Sequence, residues 1–265
     1  MSITVETYPS LREAARAMRE STWYLGGGTL LMRGVNYGAQ GFDRIVRTTD
    51  AAMREIHPEG GGIRLGAGVR MAQVMAHPDL AFLAPVARSV GGPAVRNMAT
   101  VGGNLFARSP FGDFTTALLA LDASVQMAEG PALPLESFLS GRDRQRGIVA
   151  SVLVPRPSQG AFRFAKVTRT RPKGASVMCI AAHLPGGGRI TNARVAFGAM
   201  GATPLRAKAA ETALEGAGPD AGGIQRALDV CLQGLDPQDD AIASAWYRRE
   251  VAPVHLRRLL LGEER

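Results

Sequence analysis

Glycine placement restricts this chain more than any other feature. Of 265 residues, 32 are glycine, against about 19 at average usage. They fall in clusters with no fixed period, so they mark special loops and not a fibre. Gly26-Gly27-Gly28-Thr29 and Thr100-Val101-Gly102-Gly103-Asn104 lie about 75 residues apart. In each, the main chain is free to take positive φ or to approach a neighbour closely, because no Cβ stands in the way.

The rest of the composition is that of a globular chain. Hydrophobic residues make up 46% and charged residues 20%, and the length suits one large domain or two modest ones. No window approaches the roughly 20 apolar residues of a membrane span. The best run, Phe114 to Leu121, contains two threonines and stops at Asp122. Glu6, Arg12, Glu13, Arg16 and Arg19 interrupt any apolar export signal, which reads as a cytoplasmic chain. Two cysteines, Cys179 and Cys231, are too few for an iron–sulfur cluster. The four histidines have no ligand-like spacing, so a metal held by this chain is not expected. The net charge of +8 invites a nucleic-acid reading. That reading fails because the arginines are scattered, no basic run reaches five, and the glycine loops carry no stacking aromatics. An arginine bias set by genome composition, or an acidic protein partner or cofactor, fits the charge better.

Helical spacing is expected behind Ser10, with Glu13 placed for a capping box. Trp23–Leu25, Phe42–Val46 and Ile63–Val69 read as strands, with Gly60-Gly61-Gly62 as a hairpin loop. Helices are expected at Leu30–Val35, Met71–Met75, Leu80–Val90 and Asp113–Leu121, and Asn97–Leu105 reads as turn-rich. Val149–Val154 is a strand closed by Pro155-Arg156-Pro157, the expected domain boundary. Three further strands follow, at Phe162–Thr168, Val177–Leu184 and Ala193–Phe197, then helices at Lys208–Leu214, Ile224–Leu232 and Ala241–Leu261. Strands mixed with helices in both halves make the class α+β or mixed α/β, of which α+β is the expectation.

Successive amides in a glycine loop form a concave nest for an anion, with Thr29, Thr100 and Asn104 as side-chain donors beside them. Two such loops facing each other suit the diphosphate of a dinucleotide. The other reading is that both are tight turns packed on neighbouring strands. Neither loop fits the G-x-G-x-x-G or Walker A pattern, so Rossmann and P-loop readings fail on spacing. No paired carboxylates, Ser/His/Asp set or Cys/His dyad is evident, so the chemistry would belong to a cofactor.

Tyr24-Leu25-Gly26-Gly27-Gly28-Thr29-Leu30-Leu31, Val95-Arg96-Asn97-Met98-Ala99-Thr100-Val101-Gly102-Gly103-Asn104-Leu105, Ser109-Pro110-Phe111-Gly112-Asp113 and Ala117–Ala123 occur in the order of one family. Tyr8–Ala14 and Trp246–Glu250 extend the match to nearly the whole chain. The sequence resembles the FAD-binding medium subunit of molybdenum hydroxylases, as in the carbon monoxide dehydrogenase flavoprotein and the FAD domain of xanthine dehydrogenase. The resemblance implies a two-part PCMH-type FAD-binding domain over 1–157. A small antiparallel sheet domain with helices would follow over 158–265.

It further implies that Leu25, Gly26, Gly27, Gly28, Thr29 and Leu30, with Thr100, Val101, Gly102, Gly103 and Asn104, hold the FAD diphosphate and sugars. Ser109 and Asp113 would face the ribityl–phosphate region, Asp113 being equally suited to a helix N-cap. Phe106 and Phe111 would pack on a ring or in the core. Val149, between Ile148 and Ala150, would present a main-chain edge to the flavin ring. Many relatives have an acidic residue followed by an aromatic where this chain has Lys173-Gly174. That change opens the flavin face or leaves it to be covered from elsewhere. It also places Lys173 either near the pyrimidine end or exposed in a turn.

The implied assembly adds a large molybdopterin-binding subunit and a small subunit with two [2Fe-2S] clusters, as a dimer of heterotrimers. Electrons would reach an external acceptor such as NAD. The alternative is a self-sufficient FAD oxidoreductase of the same flavin fold. On this reading Gly27→Val and Gly103→Val would abolish FAD binding and leave the protein folded.

Overall fold

The computed structural model describes residues 3–38, 41–145, 147–170 and 174–263. In chain order the elements begin β1 (Thr4–Tyr8), α1 (Leu11–Arg16), β2 (Thr22–Tyr24), α2 (Leu31–Asn36), β3 (Arg44–Thr48), β4 (Ile56–Glu59) and β5 (Gly62–Gly66). Next come α3 (Met71–Ala76), α4 (Ala84–Ser89), α5 (Pro93–Arg96), α6 (Val101–Leu105), α7 (Asp113–Ala120), β6 (Ser124–Met127), β7 (Ala132–Pro134) and α8 (Leu135–Gly141). The remainder is β8 (Val149–Pro155), β9 (Phe162–Thr168), β10 (Ser176–His183), β11 (Arg194–Gly198), β12 (Leu205–Arg206), α9 (Lys208–Leu214), α10 (Gln225–Val230) and α11 (Ala245–Leu261).

The chain divides into two compact units, 1–107 with 123–154, and 108–122 with 155–265. Helix α7, which in sequence precedes β6 and β8, therefore belongs to the second unit.

The first unit holds two sheets. One is the three-stranded sheet β1-β3-β2, parallel throughout. Ser10 accepts from the Glu13 amide and starts α1, which buries Ala14. The other is the five-stranded sheet β4-β5-β8-β6-β7. Its β4–β5 hairpin turns at Gly60 and Gly61, at φ 55° and 80°. Two consecutive left-handed residues suit the right-handed strand twist, and only glycine takes both cheaply. The expected Leu80–Val90 helix is broken: a 3-10 stretch over Pro78–Leu83 precedes α4, which has Pro85 in its first turn.

The second unit is the antiparallel sheet β12-β11-β10-β9 between helical layers. On one face α11 buries Ala252, Leu256 and Leu260 in a core with Met178, Ile180 and Phe197. On the other face lies α7, with every residue from Asp113 to Ala120 buried. That closeness depends on Gly198 in β11: a Cβ there would fall 2.5 Å from both Cys179 Sγ and Thr116 Oγ1. Burying Phe114 completely contributes about 2–3 kcal/mol. The expected start of the last helix at Ala241 moves to Ala245, where Ser244 caps it and Asp240 Oδ1 accepts the amides of Ile242 and Ala243.

Candidate functional site

The first glycine loop continues a strand. Leu25 donates its amide to Val46 O at 2.8 Å, extending the β2–β3 pairing by one residue. The chain then turns through Gly28 at φ 72° into α2, with Met32 N bonded to Gly28 O at 2.9 Å. Among the described residues, the amides from Gly26 to Leu30 donate to no protein acceptor. Five successive unclaimed N–H groups on one loop make a fit for a polyanion such as a diphosphate. Burial pushes the Tyr24 phenol, just before the loop, up to about 12, so it stays a neutral hydroxyl there.

The second glycine segment is built differently. Expected as a turn, it is the short helix α6, because Thr100 Oγ1 caps it by accepting from Gly103 N at 3.1 Å. Val101 N goes to Val69 O and Gly102 N to Ala67 O, both at 2.8 Å, and Asn104 N goes to Thr100 O at 3.0 Å. All four amides from Val101 to Asn104 thus have protein acceptors. The expectation that both loops present open amide nests is corrected here: the first does, and the second offers a shaped surface with exposed Gly103 at its crest.

The two segments touch. A Cβ on Gly27 would fall 1.9 Å from Met98 O, and one on Gly26 would fall 3.0 Å from Thr100 Oγ1. A Cβ on Gly103 would also fall 3.0 Å from that hydroxyl, so Thr100 Oγ1 sits against both glycines. Gly102 packs on β5's exit, where a Cβ would lie 2.7 Å from Ala67 Cβ. The predicted reason for Gly27 therefore changes. Its missing side chain makes room for the main chain of Met98, and a valine there strikes the protein itself.

Val149 lies in the same unit with its side chain 3% exposed in the core. Its neighbour Ala150 accepts the Ala67 amide at 2.8 Å, and Ala67 O in turn accepts Gly102 N. Strand β8 is thus one hydrogen-bonded residue away from α6. Phe106 stands edge-on to Phe138, centroids 5.5 Å apart, and is 40% exposed.

Ser109 and Asp113 belong to the second unit. Ser109 is exposed and is joined to Pro110 by a cis peptide bond. Asp113 is not an N-cap: Gly112, at φ 104°, holds that position and Asp113 is the first helical residue. Its carboxylate is 8% exposed and bonds Lys166 Nζ at 2.7 Å and Ser176 Oγ at 2.5 Å. Burial, then the Asp113 charge, push the nearby Cys179 thiol well above its ordinary range, so it stays protonated. Lys166 and Ser176 escaped the sequence reading. The available signal was that Lys166 is one of only three lysines and sits inside a strand pattern.

Lys173 lies outside the described residues. Gly174 is confined: a Cβ would fall 2.9 Å from Thr170 Oγ1 and 3.2 Å from Thr170 O. Among the described residues no group of three or more His, Cys, Asp or Glu could hold a metal ion, and no helix is long and apolar enough to cross a membrane.

Residues 2–157 match the family model described as the FAD binding domain in molybdopterin dehydrogenase. Residues 163–262 match that of the CO dehydrogenase flavoprotein C-terminal domain. The putative xanthine dehydrogenase FAD-binding subunit of Escherichia coli K12 is 26% identical over 240 residues, covering 84% of this chain and 82% of that protein. The carbon monoxide dehydrogenase medium chain of Hydrogenophaga pseudoflava is 24% identical over 221 residues, covering 78% and 77%. In fold, the chain superposes on quinoline 2-oxidoreductase from Pseudomonas putida 86 with a TM-score of 0.89 at 23% identity, covering 99% of this chain and 96% of that one. It superposes on the carbon monoxide dehydrogenase of Hydrogenophaga pseudoflava at 0.86 and 22% identity, covering 98% and 96%. The chain belongs to the family of FAD-binding domains of molybdopterin dehydrogenases.

Proposed function

We propose that this protein is the flavin electron-transfer subunit of a multi-subunit molybdenum hydroxylase. In this reading a large partner oxidises the substrate at a molybdopterin centre. A small partner passes the electrons through two [2Fe-2S] clusters, and they leave from this subunit to an external acceptor such as NAD. The complex is a cytoplasmic dimer of such heterotrimers. Residues 1–157 form the FAD-binding domain and 158–265 the C-terminal domain. Two matched relatives carry names of medium chains or FAD-binding subunits of xanthine and carbon monoxide dehydrogenases, which supports the subunit role.

FAD, when bound, supplies all the redox chemistry. The chain's own work is to hold and orient it. The amides of Gly26 to Leu30 donate to the diphosphate, with the Thr29 hydroxyl beside them. The α6 surface, with Thr100, Gly103 and Asn104, shapes the opposite wall. Val149 contributes main chain from β8. Within the second unit, Lys166 Nζ and Ser176 Oγ each hold one oxygen of the Asp113 carboxylate. The net charge of +8 favours retention of an anionic ligand.

The observation that carries this reading is the run of five amides without protein acceptors, on a loop packed against a second glycine segment. Purifying the chain alone and measuring visible flavin absorbance with chromatographic identification tests it. One FAD per chain, and no turnover of alcohols or amines without partner subunits, is expected. A chain that takes up no FAD even when reconstituted in excess cofactor ends the proposal. Turnover by the isolated chain would replace it with the self-sufficient oxidoreductase.

A further inference from the structure

The α6 segment is fixed at its start by two main-chain bonds, but its end carries carbonyls that no following helical turn can satisfy. A single side chain from elsewhere in the unit meets them. Arg142, directly after α8, is 5% exposed and donates from Nη1 to Ala107 O at 2.9 Å and to Leu105 O at 3.5 Å. Phe138, from the same α8, is fully buried and packs at right angles to the ring of Phe106, the residue between Leu105 and Ala107 in sequence. The arch from Val101 to Ala107 is thus held at one end by Ala67 and Val69, just past β5, and at the other by Arg142. Its crest, Gly103, rests on the Thr100 hydroxyl, which in turn lies against Gly26 of the first loop.

We propose that Arg142 is a positioning residue for cofactor binding, fixing the second wall of the FAD site by bonding carbonyls at and just beyond the end of α6. A buried guanidinium suits the task because it is always charged and its donors lie in a rigid plane. Without it, the carbonyls of Leu105, the last residue of α6, and of Ala107, two residues beyond, lose this donor. The helix end then relaxes and carries the Thr100–Gly103 crest away from the first loop. This rests on the reading of these loops as the FAD site.

The test compares wild type, Arg142→Met and Arg142→Lys as purified full-length chains. Each is stripped of flavin and titrated with FAD, and the apo melting temperature and the visible circular dichroism of bound flavin are recorded. Loss of a charge-assisted bond predicts an FAD Kd raised about tenfold in Arg142→Met, altered flavin dichroism, and an apo melting temperature lowered by several degrees because buried carbonyls lose a donor. Arg142→Lys keeps the charge but reaches fewer acceptors, and recovers part of the affinity. If Arg142→Met does not accumulate as folded protein, Arg142→Lys carries the test, with a several-fold weaker Kd and altered flavin dichroism as the supporting result. An unchanged Kd in the variant that carries the test overturns the inference, as does a weaker Kd with flavin dichroism identical to wild type. A wild type that binds no FAD defeats the functional reading itself, and so is distinguishable from failure of the Arg142 role.

Discussion

The Cβ that any other residue would carry at position 27 falls 1.9 Å from the carbonyl oxygen of Met98, and the obstacle is main chain that no rotamer change can move. At position 103 the nearest obstacle is the Thr100 hydroxyl at 3.0 Å, a side-chain atom and not main chain. Two glycines that look equivalent in the sequence therefore answer to different constraints.

Gly27→Ala is expected to separate the two loops, destabilising the apo protein by about 1–3 kcal/mol as an overpacking change and weakening FAD binding in parallel. Gly103→Ala should leave the apo protein near wild-type stability, since alanine gains about 1 kcal/mol of helix propensity against the mild contact. Circular-dichroism melting of both apo variants checks this. Equal melting temperatures for the two would contradict the geometry.

In the second unit, the Asp113–Lys166 pair is nearly dry, with side chains 8% and 13% exposed. Asp113→Asn leaves a buried ammonium without its carboxylate and should cost about 3–5 kcal/mol. Adding Lys166→Met should recover part of that loss, because the uncompensated charge is gone. A double-mutant cycle in urea reads the coupling, and strict additivity of the two single changes would show that the pair does not interact.

His183 gives the fold a pH dependence. Burial, and then the Arg194 charge, lower its folded pKa below the ordinary 6.5, so folding favours the neutral ring. The unfolded chain then takes up a proton before the folded one does. Stability is fully present above pH 6.5 and falls as pH drops toward the lowered folded value. His183→Gln should flatten that part of the melting profile. Identical slopes for both proteins between neutral and mildly acid pH would rule out this role.

Arg248 is 1% exposed and donates to Val177 O, Gln238 O and Ala243 O, with Asp240 as its ion-pair partner at 2.8 Å. Arg248→Met strips three carbonyls and one carboxylate of their donor, and a loss of about 3 kcal/mol or more is expected. Limited proteolysis should then cut within residues 236–244, which the guanidinium ties to β10. Resistance equal to wild type would show that the loop is held by other means.

Much of the architecture is legible along the chain because it depends on neighbours in sequence. Ser10 and Glu13 announce α1, paired glycines at 60 and 61 announce a hairpin, and β10 and β11 show their apolar runs. Boundaries slip where a local device goes unnoticed, as at Ser244, whose hydroxyl moves the start of α11 to Ala245. The Thr100 cap likewise turns an expected loop into helix α6.

The candidate site divides along the same line. Its glycine clusters and their order are visible in the sequence and suffice to indicate the family. Which amides stay open cannot be read there, because Val69 O and Ala67 O claim those of Val101 and Gly102 from some 30 residues away. Nor can the sequence alone foretell that Asp113 meets Lys166 across 53 positions, or that Arg142 reaches back to Ala107.

By itself, the sequence determined the local backbone: where φ turns positive, where helices begin, and which strands have two apolar faces. Only the tertiary structure decided which donors and acceptors were already spent on each other. Hydrogen-bond satisfaction is a property of pairs, and distant segments become pairs only once the chain has folded.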